Sequence, residues 1–210
     1  MADDPDLDSA YALETPEDNL RLYKDWAASY DNDFVRKVEY RLPGLVVRRF
    51  LAEGGTGPVL DVGCGTGAVG EVLPAALPLD GLDLSPEMLA VAEGKSRYGK
   101  LIEANLNDPL PLPDAAYNGL LSAGTFTHGH VGAEALPELI RILAPGALAV
   151  VSIRDAVWET MGFAPVFQRL ADEGAITPPR IDPEQIYGTP QSAPEGHAED
   201  IGFITRFQRL

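Results

Sequence analysis

From Val59 onward the chain alternates short apolar runs with longer stretches whose apolar residues recur at helical spacing. The runs near 58–62, 78–83, 99–103, 116–122 and 146–153 predict strands, and the stretches near 67–76, 86–95, 132–143 and 155–173 predict helices. Strand–helix alternation with short connections implies a parallel sheet. Ahead of it, 17–28 predicts a helix with Leu20, Leu22, Tyr23, Trp26 and Ala27 on its apolar side. A break at 29–32 leads into a second helical stretch, 34–51, interrupted near Pro43-Gly44. Past the last helix the pattern changes. Pro178-Pro179-Arg180 and a turn-rich stretch over 188–196 precede I-G-F-I-T-R-F-Q-R-L, whose alternation predicts a closing strand over 201–210.

One strand end carries most of the chemistry. Val59 to Gly67 reads V-L-D-V-G-C-G-T-G, an apolar strand running into a turn with glycine at 63, 65 and 67. Glycines there allow positive φ and let a ligand approach the backbone without a Cβ in the way. Such a turn at the carboxyl edge of a parallel sheet predicts a nucleotide site. Asp61 narrows the ligand, because its carboxylate repels a pyrophosphate and attracts an ammonium or sulfonium group. S-adenosylmethionine carries both cations and no phosphate. The second strand ends at Asp83, about 20 residues on, where an acid accepts hydrogen bonds from ribose hydroxyls. Ser85 and Pro86 then read as the N-cap and first position of a helix.

This loop resembles motif I of the class I S-adenosylmethionine-dependent methyltransferases, and Ser85-Pro86-Glu87-Met88-Leu89 matches a helix-opening run of that family. Tyr23-x-x-Trp26-Ala27-x-x-Tyr30-Asp31, Gly124 to Gly132, Leu136-Pro137-Glu138-Leu139 and Ala144-Pro145-Gly146 extend the likeness over about residues 20 to 170. Within the family these features are similar to the Williams–Beuren region methyltransferase-like proteins and their bacterial relatives. The resemblance implies a Rossmann-like α/β fold: a seven-stranded, mostly parallel sheet with an antiparallel last strand, helices on both faces and an N-terminal helical cap. The expected organisation is an acidic tail over 1–16 and one domain over 17–210, with the cap at 17–51 and the core at 57–210. The resemblance also implies cofactor contacts. Gly63, Cys64, Gly65 and Gly67 would lend backbone, Leu84 and Met88 would pack near the adenine, and Asn105 and Leu106 would lie beside it. Asn105 stands where many relatives carry Asp. Ser122 closes the fourth strand where the family's substrate-facing loop begins, and Tyr30 would reach the cofactor from the cap.

The loop after the fourth strand, G-T-F-T-H-G-H-V-G, holds two of the three histidines, at the edge where the methyl group should point. Direct displacement at an activated methyl mainly needs alignment, and a hydroxyl or protonated amine acceptor also needs a base. His130 and His128 are the candidate bases, by pKa and position; the bland alternative is that either one only ties its loop. Two histidines two apart with no evident third ligand predict no metal. Gly63-x-Gly65-x-x-Ala68 also satisfies a dinucleotide fingerprint, so an NAD-dependent oxidoreductase is an alternative, as is a non-catalytic S-adenosylmethionine-binding protein or partner subunit.

Bulk properties shape only the partner expectations. A chain of 210 residues fits one domain. The formal charge is −16, with seven carboxylates and no Lys or Arg among residues 1–20, which argues against nucleic acid and anionic membranes. No apolar run approaches the ~20 residues of a membrane span, and the acidic start does not read as a signal peptide. A single cysteine, Cys64, excludes an internal disulfide and fits a cytoplasmic protein. The expected partner is a small-molecule methyl acceptor, and the expected state a monomer or weak homodimer.

Overall fold

The computed structural model describes residues 38–127, 131–189 and 191–210. Seven strands form one sheet: β1 (Val59–Val62), β2 (Leu79–Asp83), β3 (Leu101–Glu103), β4 (Tyr117–Phe126), β5 (Leu143–Arg154), β6 (Arg180–Gln185) and β7 (Ile201–Gln208). Their order is β3-β2-β1-β4-β5-β7-β6. β1 to β5 pair in parallel, whereas β7 runs antiparallel to both β5 and β6. The order reverses beside β1, where β2 and β4 leave in opposite directions, and this makes a crevice at the carboxyl ends of the strands.

Helices cover both faces, so β1 is buried at all four positions and reads as a continuous apolar run broken only by Asp61. One face packs Leu60, Val62, Leu82 and Leu120 against α4 (Leu136–Ile142) and α6 (Phe163–Asp172). The other packs Val59, Leu79, Leu121 and Val150 against α1 (Leu42–Ala52) and the start of α2 (Ala68–Val72). The remaining helices are α3 (Pro86–Gly94) and the short α5 (Asp155–Trp158). No helix among the described residues is long and apolar enough to cross a membrane.

Three expectations change. Pro43 does not interrupt a helix; it occupies the first turn of α1, where its missing N–H has no intrahelical partner to lose. From there Leu45, Val46 and Phe50 bury one side of α1 on the sheet, so this part of the expected cap is a layer of the core. The stretch 155–173 is two helices, because Gly162 takes φ 70° and turns the chain before α6. The seventh strand, β6, lies between Pro178-Pro179 and the turn-rich stretch over 188–196, where no strand was expected. It is an edge strand with alternating exposed positions and a proline, Pro183, which only an edge tolerates comfortably. Ions anchor it more than burial does: Arg49 of α1 meets Asp182 at 3.1 Å and Glu184 at 3.0 Å. The predicted 17–28 helix and the first part of the 34–51 stretch lie outside the described residues.

Candidate active site

The glycine loop joins β1 to α2, and all three of its glycines have positive φ: 64° at Gly63, 52° at Gly65 and 93° at Gly67. They serve different ends. A Cβ on Gly63 would collide with the Thr125 side chain, and one on Gly67 would lie 2.9 Å from the Tyr98 ring. A Cβ on Gly65 would meet nothing within 4 Å; this residue faces the cleft, and its backbone is what a ligand can approach. The loop is stitched to β2 by Cys64 N–H donating to the Leu82 carbonyl at 2.9 Å.

Asp83 closes the same corner. Its Oδ2 accepts from Gly65 N–H at 2.8 Å and its Oδ1 from Ser85 N–H at 2.9 Å. Ser85 in turn caps α3, its Oγ accepting from Met88 N–H at 3.2 Å. Burial raises the Asp83 carboxyl above the usual range, opposed by the N–H donors of Ser85, Gly65 and Leu84. With the carboxylate clamped by backbone, its spare lone pairs keep a fixed direction toward the cleft.

The cleft takes in about 980 Å³ counted out to its open mouth. Gly63, Cys64, Gly65, Asp83, Leu84, Met88, Asn105 and Leu106, all expected from the sequence to lie at a cofactor site, line this cleft. Asn105 has a second duty: its Oδ1 accepts from Asn107 N–H at 3.0 Å, holding the turn after β3. Apart from Asp83, no formally charged side chain lines the cleft among the described residues.

Three expected contacts do not line the cleft: Ser122, Asp61 and Gly67, the last buried beside the Tyr98 ring. Ser122 is fully buried; its hydroxyl sits 2.8 Å from the Val62 carbonyl oxygen and 2.9 Å from Thr125 Oγ1, which lies 3.0 Å from the same carbonyl. It joins the carboxyl ends of β1 and β4. Asp61 is also fully buried, on the face covered by α2. Its Oδ2 accepts from the Tyr98 hydroxyl at 2.7 Å, and its Oδ1 has no hydrogen-bond partner. Burial raises its carboxyl to about 7, the Tyr98 hydrogen bond lowers it, and the Asp83 charge raises it. A buried carboxylate oxygen with nothing to accept is costly. A ligand cation would satisfy it.

Cys64 is not a nucleophile. Burial pushes its thiol far up, and the charges of Asp61 and Asp83 push it further. Trp158, Met161 and Phe163 do not line the cleft; Phe163 is in the core, and Trp158 and Met161 pack against it. Trp158 stacks on Phe163 and Phe167 and meets Phe203 edge-on. Tyr30, His128 and His130 lie outside the described residues. His197, in the loop before β7, has Nδ1 2.9 Å from Asp200 Oδ2, and Arg154 donates to that oxygen at 2.8 Å.

The sequence reading missed Tyr40, Thr125 and Tyr98. Tyr40 lines the cleft just ahead of α1, and its hydroxyl occupies the space a Cβ on Gly124 would need. Thr125 faces it from an irregular part of β4, where pairing with β5 shifts register between Ser122 and Phe126. Only the glycines at 124 and 63 hinted at these close approaches.

A protein-family model described as a methyltransferase domain matches residues 60–151, from β1 into β5. The chain is 36% identical over 154 residues to human (Homo sapiens) methyltransferase-like protein 27, covering 70% of this chain and 62% of that one. Against the demethylmenaquinone methyltransferase of Thermus thermophilus it is 36% identical over 100 residues, 44% of this chain and 45% of the relative. It therefore spans less than two thirds of either curated relative. Its fold is like that of a candidate S-adenosyl-L-methionine-dependent methyltransferase of Methanococcus maripaludis, with TM-score 0.60 and 17% identity over 90% of this chain and 93% of that one. In the order of its strands, its glycine loop and the methyltransferase-domain model that matches residues 60–151, the chain is similar to the class I S-adenosylmethionine-dependent methyltransferases.

Proposed function

We propose that the protein transfers a methyl group from S-adenosylmethionine to a small-molecule acceptor by direct displacement, with no covalent enzyme intermediate. The observation that carries this reading is the pair of carboxylates at the glycine loop. Asp83 is held by two backbone N–H groups, and Asp61 is buried with one oxygen unsatisfied. That pair suits a ligand with a ribose diol and cationic groups. It does not suit a dinucleotide pyrophosphate, which needs N–H donors or cations at the glycine loop and would be repelled there by the Asp61 carboxylate. Asp83 would take the ribose hydroxyls and Asp61 Oδ1 the ammonium group. Leu84, Met88 and Leu106 would give the adenine an apolar slot, with the Asn105 amide at its edge.

S-adenosylmethionine bound there would supply a methyl carbon activated by its sulfonium, to which an acceptor's lone pair would bond as the carbon–sulfur electron pair returned to sulfur. The protein's part is alignment and water exclusion, which can lower a barrier by several kcal/mol. Tyr40, Thr125 and Val131 line the cleft, and the last two stand close on either side of residues 128–130 in sequence. His130, with His128 as the alternative, would take the acceptor's proton, and Tyr30 would close over the cofactor. A small acceptor is supported by the absence of basic side chains among the cleft's described lining residues. We assign the protein to the cytoplasm as a monomer or weak homodimer.

The test is production of S-adenosylhomocysteine with a panel of hydroxyl, amine, thiol and carbon acceptors. Wild type should turn over at least one small acceptor. The His130→Ala variant should lose more than tenfold in kcat with little change in cofactor affinity. Tight cofactor binding without turnover of any acceptor class would favour a sensor or partner subunit, and equal turnover by wild type and variant would reduce His130 to a loop residue.

A further inference from the structure

Tyr98 belongs to none of the motifs that mark this site, yet three glycines from different elements make room for it. A Cβ on Gly67 of the loop would lie 2.9 Å from its ring, one on Gly70 of α2 2.8 Å from its hydroxyl, and one on Gly81 of β2 3.0 Å from its ring. Close packing alone would be met by phenylalanine. The hydroxyl does more: it donates to Asp61 Oδ2 at 2.7 Å and accepts from Gly70 N–H at 3.3 Å. Gly70 N–H is a first-turn donor with no partner inside its helix, so it fixes the hydroxyl's direction and leaves its proton for Asp61. Of the two oxygens of that buried carboxylate, one is taken and the other has no partner.

We propose that Tyr98 is a positioning residue of the cofactor site: its hydroxyl holds one oxygen of Asp61 so that the other is left to meet the ligand's ammonium group. The inference rests on the cofactor reading above and adds to it the group that keeps Asp61 oriented and ionisable. The surroundings explain why such help is needed. Burial and the Asp83 carboxylate oppose a negative charge at Asp61, and the Tyr98 hydrogen bond favours it. Ammonium binding requires the ionised carboxylate. Without the hydroxyl, Asp61 holds its proton to higher pH and the carboxyl group is free to turn.

The test is Tyr98→Phe, which keeps the ring that fills the space between the three glycines. S-adenosylhomocysteine binding to wild type and variant is measured by calorimetry from pH 5.5 to 8. The Asp61 carboxyl of the ligand-free protein is followed by carbon NMR over the same range. The proposal expects about a tenfold loss of affinity near pH 7, as for one charge-assisted hydrogen bond. It also expects the rise of affinity with pH to move to higher pH, and Asp61 to titrate higher in the variant. A merely structural role would lower affinity by one factor at every pH and leave the Asp61 titration in place; that result, or superimposable curves, overturns the proposal while leaving the cofactor reading intact. Failure of wild type itself to bind S-adenosylhomocysteine would overturn the cofactor reading and this inference with it.

Discussion

Asp61 places opposing demands on the protein. Folding alone would favour a neutral residue there, since the carboxyl is fully buried and raised to about 7, against an ordinary value near 4 in the unfolded chain. The folded state therefore holds the proton more tightly than the unfolded one. The stability this gives is complete below about pH 4 and is lost as pH rises through about 7. Asp61→Asn should remove that slope. The Asn Oδ1 still accepts from Tyr98, and no charge is buried. Thermal unfolding of the ligand-free protein should show the variant several degrees more stable than wild type at pH 8 and nearly equal at pH 4.5, with S-adenosylhomocysteine affinity down at least tenfold. Equal melting temperatures at pH 8 would mean that Asp61 carries no such burden. At this scale the loop glycines and Asp83 were legible from sequence, because what fixes them is local: a tight turn and a strand end. Tyr98 was not legible, since its partner lies 37 residues away and only the fold brings them together. Ser122 was read as a contact because its strand position was right. Its fully buried hydroxyl, turned to the Val62 carbonyl, is a property of packing.

Among the elements, α1 shows how far periodicity carries. Its apolar face was readable, but its start was misread because Pro43 signals a break in a helix interior and a favourable opening in a first turn. The face matters for stability. Phe50 is fully buried, and its ring occupies the space that Cβ atoms on Gly55 and Gly119 would need. Phe50→Ala should cost about 3–5 kcal/mol. In chemical denaturation that appears as a lowered midpoint with an unchanged slope; a loss below about 1 kcal/mol would show that the sheet face collapses onto α2 without α1. The strand β6 escaped the sequence reading for the opposite reason. It has little apolar content to display, and its place depends on pairing with β7 and on the arginines of α1 and β7 that meet Asp182. Interactions of that kind leave no periodic trace.

Over the whole molecule, the sheet order puts β1, β2 and β4 around one crevice, and chemistry-bearing residues gather at their carboxyl ends. The fold class was legible from strand–helix alternation and the glycine loop together, whereas only Asp61 spoke against a dinucleotide enzyme, which shares both features. The net charge of −16 and the acidic cleft point the same way, toward a cationic ligand. The most direct measurement is calorimetric titration of the purified protein at pH 7.5 with S-adenosylhomocysteine and, in parallel, with NADH. Saturable, micromolar, one-to-one binding of S-adenosylhomocysteine and no binding of NADH is the expected result. Binding of NADH alone would contradict the account, because it would place a pyrophosphate at the glycine loop beside the buried charge of Asp61.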